Sequence, residues 1–407
     1  MKVIKLSALL FISLFIVTAA QENKSCGGIP ANGSYKWSSD LLTSISIPFE
    51  LGGNLVVIPV EINNVMTKFI LDTGMPMMGG LFTNYSKAST LNLNYSGEAQ
   101  IGGAGGGFSS AKISSGVKFK LGDLEFYNQT LVVMQESKNL SFFETDGVIG
   151  NEILERFIVD INYDNLTITL TEPANFTPPA GAEEIQLPFE SIYPFIKCTA
   201  TMENGATVPL DMVLDLGASH NLSLVLGSQE NIVLPGKNLK VSTGRGVTTE
   251  LFGYTGRIKE FKIGSFSFDN PLVNFNEEKL MSFEKDGNLG SGILRRFNLT
   301  FDYANNRMFI KPNKSYNNPF EFNMAGLQYS KSRDGILIID KVIPNSPGSE
   351  AGLEPGDLLV KINGTVAGDI NKNDLKKIFE GENKVVELSI KHGETTKTIS
   401  VKLRRLI

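Results

Sequence analysis

The sequence predicts a mostly β protein: two homologous closed β lobes related by a pseudo-two-fold axis, followed by a separate C-terminal domain. Three observations carry this. Short runs rich in Ile, Val, Phe and Thr are punctuated by 40 Gly and 17 Pro, and long helical periodicity is scarce. Blocks of the first half recur in the same order in the second half at a nearly constant offset. The character changes once more after the polar stretch KPNKSYNN (311–318).

The chain opens with MKVIKLSALLFISLFIVTAA (1–20), in which Lys2 and Lys5 precede an apolar run and small residues follow it. That is the pattern of a secretory signal peptide cleaved before Gln21, with 21–40 as an N-terminal segment of the mature chain. The competing reading is a membrane anchor, but the apolar run 8–17 is shorter than the ~18 residues a span needs. Polar Asn23 and Lys24 argue against lipid attachment at Cys26. The expectation is an exported protein, periplasmic or extracellular, with no membrane span after signal removal. A formal charge of −5 without a basic block argues against nucleic acid as a partner. Cys26 and Cys198 are the two cysteines, and an oxidising compartment leaves open whether they pair. With only His220 and His392 beside them, no zinc site is expected, and neither metal nor cofactor is implied.

The repeat organises the rest. ISIPFE (45–50) recurs as IQLPFE (185–190), and FILDTG (69–74) recurs in MVLDLGAS (212–219). DGVIGNEILERFIVDINYDN (146–165) recurs as DGNLGSGILRRFNLTFDYAN (286–305). Offsets of 140 to 143 residues hold throughout. This sets one lobe at 41–171 and a second at 184–312, joined by the Pro-rich linker 172–183. Each half reads as strand, Asp turn, glycine-containing hairpin, further strands, Gly-x-x-Gly, a short helix and a final hairpin.

Alone, Asp72-Thr73-Gly74 is composed of turn formers and needs no further role. A pseudo-two-fold axis changes that, because it brings the same turn from both copies to one place and makes Asp215 the partner of Asp72. Two adjacent carboxylates cannot both ionise cheaply, so they share a proton; the aspartic-protease dyad is the standard worked case of this effect. The ionised member takes a proton from a bound water that attacks a peptide carbonyl. The protonated member hydrogen-bonds the carbonyl oxygen and later protonates the leaving amine. Gly74 and Gly217 let the backbone come close and offer N–H donors.

These residues resemble the retropepsin-like aspartic proteases, the clan of retroviral and pepsin-like enzymes, in a bacterial single-chain form with two lobes and a trailing PDZ domain. The resemblance covers about 45–407. It rests on the two Asp turns, each followed some 75 residues later by an apolar-Gly motif, VIG (148–150) and NLG (288–290). It implies catalysis by Asp72 and Asp215 with support from Thr73, Gly74 and Gly217. IGGAGGG (101–107) sits where the family carries its flap, with STGRG (242–246) matching it in the second half. Gly102, Gly103, Gly105, Gly244 and Gly246 are the flap candidates, and glycine density fits a surface loop equally. Two departures stand out: Leu216 lacks the hydroxyl with which the family's Thr or Ser grips the opposite lobe, and Met75 replaces a small residue.

VIPNSPGSEAGLEPGDLLVKINGT (342–365) resembles the PDZ domains of secreted bacterial proteases, placing that domain at 319–407. Gly326 and Leu327 then fall in the loop that captures a peptide's terminal carboxylate, and NKNDLKKIFEG (371–381) supplies the groove helix. Binding of a PDZ ligand peptide is one reading; a packing module that stabilises the lobes is the other. Ser219 and His220 beside Asp215 do not make a relay, since neighbours on one turn cannot reach the required geometry. Asp146, Asp160, Asp302, Phe157 and Phe297 read as scaffold. The function expected is an exported aspartic endopeptidase acting on peptide or protein substrates. The alternatives are a catalytically inactive peptide-binding pseudoprotease, favoured by Leu216, and a scaffolding surface protein.

Overall fold

The computed structural model describes residues 33–75, 81–102, 108–134, 145–190, 193–245, 250–277, 279, 285–331 and 335–407. The signal-like segment and Cys26 lie outside the described residues, while Cys198 is buried and has no disulfide partner among the described residues. Among the described residues no helix is long and apolar enough to cross a membrane.

The protein is mostly β, and the repeat seen in the sequence is a repeat in topology. In the first lobe Val65–Leu71 lies between Leu55–Ile62, antiparallel to it, and Gly147–Ile149, parallel to it. Gly147–Ile149 runs antiparallel to Leu81–Asn84, which is parallel to Leu124–Met134. The second lobe repeats every step: Thr207–Asp215 lies between Tyr193–Thr201 and Gly287–Gly290, then come Leu222–Val225 and Leu272–Asn276. The inner strands are near-continuous apolar runs buried on both faces, Phe69, Leu71, Met212 and Leu214 among them.

Asp146 and Asp286 occupy equivalent positions and do the same work. Asp146 accepts the Lys68 N–H and Asp286 the Asp211 N–H, each clamping the chain onto the strand that leads to the Asp turn. Both belong to the scaffold, as do the buried rings of Phe157 and Phe297, which pack edge-on against Tyr35 and Phe266 respectively.

The hairpin that ends each lobe does more than close it. Ile158–Asn162 pairs with its own neighbour Thr167–Thr171 and also, antiparallel, with Phe297–Asp302 of the other lobe, in the register Val159↔Phe301, Asp160↔Thr300 and Ile161↔Leu299. Ser44–Pro48 and Glu183–Gln186 extend the edges, making one six-stranded sheet under both lobes. Alternation drives it: Ser44–Pro48 and Thr167–Thr171 bury every second side chain. Asp160 accepts the Thr300 hydroxyl at 2.8 Å within this sheet, and Asp302 accepts from Asn305 and Arg307 in the final hairpin. One hydrophobic core therefore runs through both lobes.

From residue 33 on, the segment ahead of the first lobe is part of it. Ser34–Trp37 adds an edge strand to Leu124–Met134, and Tyr35 and Trp37 both donate to the Glu172 carboxylate. The polar stretch after the second lobe is likewise fixed. Buried Arg296 donates to the carbonyls of Tyr316 and Asn318 and stacks 3.7 Å over the Phe320 ring.

The C-terminal unit has its own core, including Leu337, Ile339, Leu359, Leu375, Phe379 and Leu388. Its sheet runs Leu327–Lys331, Leu337–Val342, Leu358–Ile362, Val385–His392, Thr395–Lys402 in spatial order, leaving Leu327–Lys331 at an edge. Helix Lys372–Ile378 is N-capped by Asn371. This unit touches both lobes. Gln328 exchanges two hydrogen bonds with the Ser242 backbone, and Lys341 pairs with Glu250 at 2.9 Å while lying over the Phe252 ring. Asn373 donates to the Leu51 carbonyl of the first lobe.

Because the lobes share a sheet and a core, they are expected to unfold together. Phe301→Ala, at a fully buried position of the second lobe, should cost about 3 to 5 kcal/mol. Trp37, the sole tryptophan, reports from the first lobe, so its fluorescence in urea should shift to a lower midpoint in a single transition.

Candidate active site

Both Asp turns start where a buried strand runs out. Leu71 is the last residue of Val65–Leu71, and the Asp72 N–H is held by the Ile149 carbonyl, so the VIG motif fixes the turn from below. In the second lobe Asp215 ends Thr207–Asp215, opposite Gly290 of the NLG motif. In the first lobe Gly150 is required behind the turn, since a Cβ on it would stand 2.3 Å from the Asp72 carbonyl oxygen.

The two turns meet across the pseudo-axis. A Cβ on Gly217 would stand 2.3 Å from the Asp72 carboxyl carbon, and one on Gly74 would stand 2.6 Å from that of Asp215. Each glycine is thus a gap filled by the opposite carboxylate. Asp72 accepts the Gly74 N–H at 2.7 Å. Burial, and then the charge of Asp215, hold the Asp72 carboxyl well above the usual carboxylate range, so this side keeps a proton to higher pH than a free acid does.

Thr73 is buried and grips the other lobe: its hydroxyl donates to the Leu214 carbonyl and accepts the Leu216 N–H, both at 2.9 Å. Leu216, fully buried, has no hydroxyl to return the grip. Its carbonyl is held instead by the Ser291 hydroxyl at 2.7 Å. Met75 is buried beside Gly150.

Two residues outside the expected set reach the site. Asn288, within NLG, donates from Nδ2 to Asp215 Oδ2 at 2.7 Å, and its Oδ1 lies 3.0 Å from His220 Nε2. Comparison of NLG with VIG, a polar residue where the first repeat has Val148, is the signal that could have found Asn288. Ser219 is exposed and its carbonyl accepts from Asn54, so Ser219 and His220 form no relay with Asp215. Glu152, on the short helix after Gly150, is buried, and burial pushes it up to about 8.

Of the flap candidates, Gly102 ends Tyr95–Gly102, which pairs with Phe108–Leu121, and Gly244 lies at a bulge in Asn238–Arg245. Gly103, Gly105 and Gly246 lie outside the described residues. In the C-terminal unit Gly326 has φ +73° and no room for a Cβ beside Ser346. The N–H groups of Ala325, Gly326 and Leu327 all point at Asn323 Oδ1, between 3.0 and 3.4 Å. The loop that would receive a carboxylate is closed by an amide oxygen.

Comparison with known families agrees with this architecture. The aspartyl protease family model matches residues 58–153, the first lobe from Leu55–Ile62 through the helix after Gly150. A PDZ domain model matches residues 338–391. The chain carries a retropepsin-like aspartyl protease domain and a C-terminal PDZ domain. It is also 37% identical over 73 residues to Protease Do-like 7 of Arabidopsis thaliana, which amounts to 18% of this chain and 6% of that protein.

Two measurements test this geometry. Thr73→Val keeps the volume but strands a buried N–H and a buried carbonyl, so it should cost about 2 to 4 kcal/mol in urea unfolding. The second concerns pH. Folding raises the Asp72 carboxyl above its unfolded value, so its favourable contribution is complete below about pH 4 and is lost as pH rises through the folded value. Asp72→Asn has no such loss. Its unfolding midpoint should gain on the wild type as pH is raised from 4 to 8.

Proposed function

We propose that the mature protein is an exported aspartic endopeptidase that hydrolyses peptide bonds with a water activated by Asp72 and Asp215, and that its PDZ domain binds peptide or protein termini. The observation that carries the reading is the mutual contact of the two turns, each glycine abutting the opposite carboxylate. With Asp72 holding the shared proton, Asp215 is the base that takes a proton from water, and the hydroxide bonds to the peptide carbonyl carbon. Asp72 donates a hydrogen bond to the carbonyl oxygen as it becomes an oxyanion. On collapse the C–N bond breaks and Asp72 passes its proton to the leaving nitrogen. The proton left on Asp215 then returns to Asp72, restoring the starting state.

The PDZ domain supports a peptide substrate of some length. Leu327–Lys331 is an edge strand of its sheet, the kind of element to which an extended peptide adds, while Gln328 and Asn373 of the same domain rest on the protease lobes. A ligand's terminal carboxylate would take the place of the Asn323 amide oxygen. Export rests on the signal-like residues 1–20 and places the enzyme in the periplasm or outside the cell.

The purified mature protein should cleave members of a diverse peptide library between pH 4 and 8, read by mass spectrometry, and Asp72→Asn and Asp215→Asn should each abolish cleavage. Leu216 favours the second reading, a peptide-binding pseudoprotease. A folded wild type that binds peptides without cutting them at any pH would establish that reading instead.

A further inference from the structure

The two halves of the dyad are not equivalent. Under Asp72 the parallel strand Gly147–Ile149 places Val148 opposite Ile70; under Asp215 the matching strand Gly287–Gly290 places Asn288 opposite Val213. Val148 offers nothing to a carboxylate. Asn288 is 1% exposed and aims its amide N–H at Asp215 Oδ2, 2.7 Å away.

The amide is placed with its nitrogen on the carboxylate. Its oxygen faces His220 Nε2 at 3.0 Å, and with Asp215 ionised a flip would set that oxygen against the carboxylate, acceptor to acceptor. His220 therefore presents Nε2–H to Asn288, and Asn288 presents Nδ2–H to Asp215. A hydrogen bond donated to the charged form favours that form. The other turn has nothing of the kind from its Val148.

We propose that Asn288, oriented by His220, is a positioning residue that keeps Asp215 ionised and thereby assigns the dyad's proton to Asp72. This deepens the endopeptidase reading and rests on it for its catalytic meaning. The titratable groups facing the pair are few among the described residues. Asp72 and Asp215 face each other, His220 faces Asp215, and Tyr193 and Tyr303 lie within electrostatic reach of Asp72. Burial pushes Tyr193 up to about 12 and holds Tyr303 well above its usual value, while burial lowers His220 from its usual value. Glu152, on the short helix after Gly150 and pushed up to about 8 by burial, is a further group that titrates near the top of the range used below.

The test is the pH at which the dyad takes up its second proton. Asn288→Val installs the residue of the first lobe at the same register, and Asn288→Leu is a near-isostere of Asn for the case in which Val fails to fold. Both should move the acid limb of kcat/KM upward by about one pH unit or more, with KM little changed. The same shift should appear without turnover. The chain has only two histidines, so the ring Cε1 resonance of His220 is resolved by ¹H–¹³C NMR and assigned by its loss in His220→Gln. Its acid inflection, which follows the dyad's charge, should move up with the kinetic limb. An inflection unmoved in a folded variant would overturn the role of Asn288 and leave proteolysis intact. A wild type that cleaves nothing would sink the endopeptidase reading, and the ring titration would still decide whether Asn288 holds Asp215 ionised.

Discussion

Everything in the protease lobes serves one contact, that of two carboxyl groups delivered from opposite lobes into each other's glycines. Two unit charges about 4 Å apart repel by roughly 4 kcal/mol at the effective dielectric of a protein near its surface, so such a pair retains a proton. The fold tolerates that cost because the turns cannot retreat. Each is the end of a buried strand, clamped from behind by Asp146 or Asp286 and from below by VIG or NLG. The absence of a Cβ at Gly74 and Gly217 is what makes the approach possible at all.

The one-sided grip of Thr73 becomes intelligible in that setting. A reciprocal hydroxyl pair would add a hydrogen bond or two, each worth about 1 kcal/mol net. The six-stranded sheet and the shared core already fix the lobes' relative position, with Ile161, Leu299 and Phe301 fully buried where the central strands meet. At ~25 cal/mol per Å² of apolar surface, a few such side chains outweigh the missing bonds. Ser291 holds the Leu216 carbonyl, so the turn is not left with an unpaired acceptor there.

What could be read from the sequence follows from where each signal lives. Duplication writes itself as ordered motifs, so the two lobes, the Asp turns and the structural acids Asp146, Asp160 and Asp302 were legible. Composition and the PGD and ING turns marked the PDZ domain. The sheet spanning the lobes was not legible, because Ile158–Asn162 shows only the alternation of a strand and nothing of its partner. Nor was the inclusion of Ser34–Trp37 in the first lobe, which depends on Glu172 reaching back across the domain. Arg296 turned a polar connector into a fixed strap by contacts that no local pattern encodes. Asn323, three residues before the loop glycine, reads as an ordinary turn former until its oxygen is seen against three N–H groups.

A duplicated fold supplies two equal acids, whereas the proposed hydrolysis needs one acid and one base. The difference has to come from residues that break the symmetry, and in this chain the second lobe carries most of them. The first lobe keeps Thr73 and Val148 and is the part that the aspartyl protease family model matches. The second has Leu216 for the Thr, Asn288 for the Val, and a histidine behind Asn288. It also bears the hairpin on which Gln328 and Lys341 of the PDZ domain rest. Surface polar contacts of that kind contribute about 1 kcal/mol or less each, far below the core that joins the lobes. The strong interface thus preserves the symmetric scaffold, and the divergence has gathered in one lobe around one carboxylate.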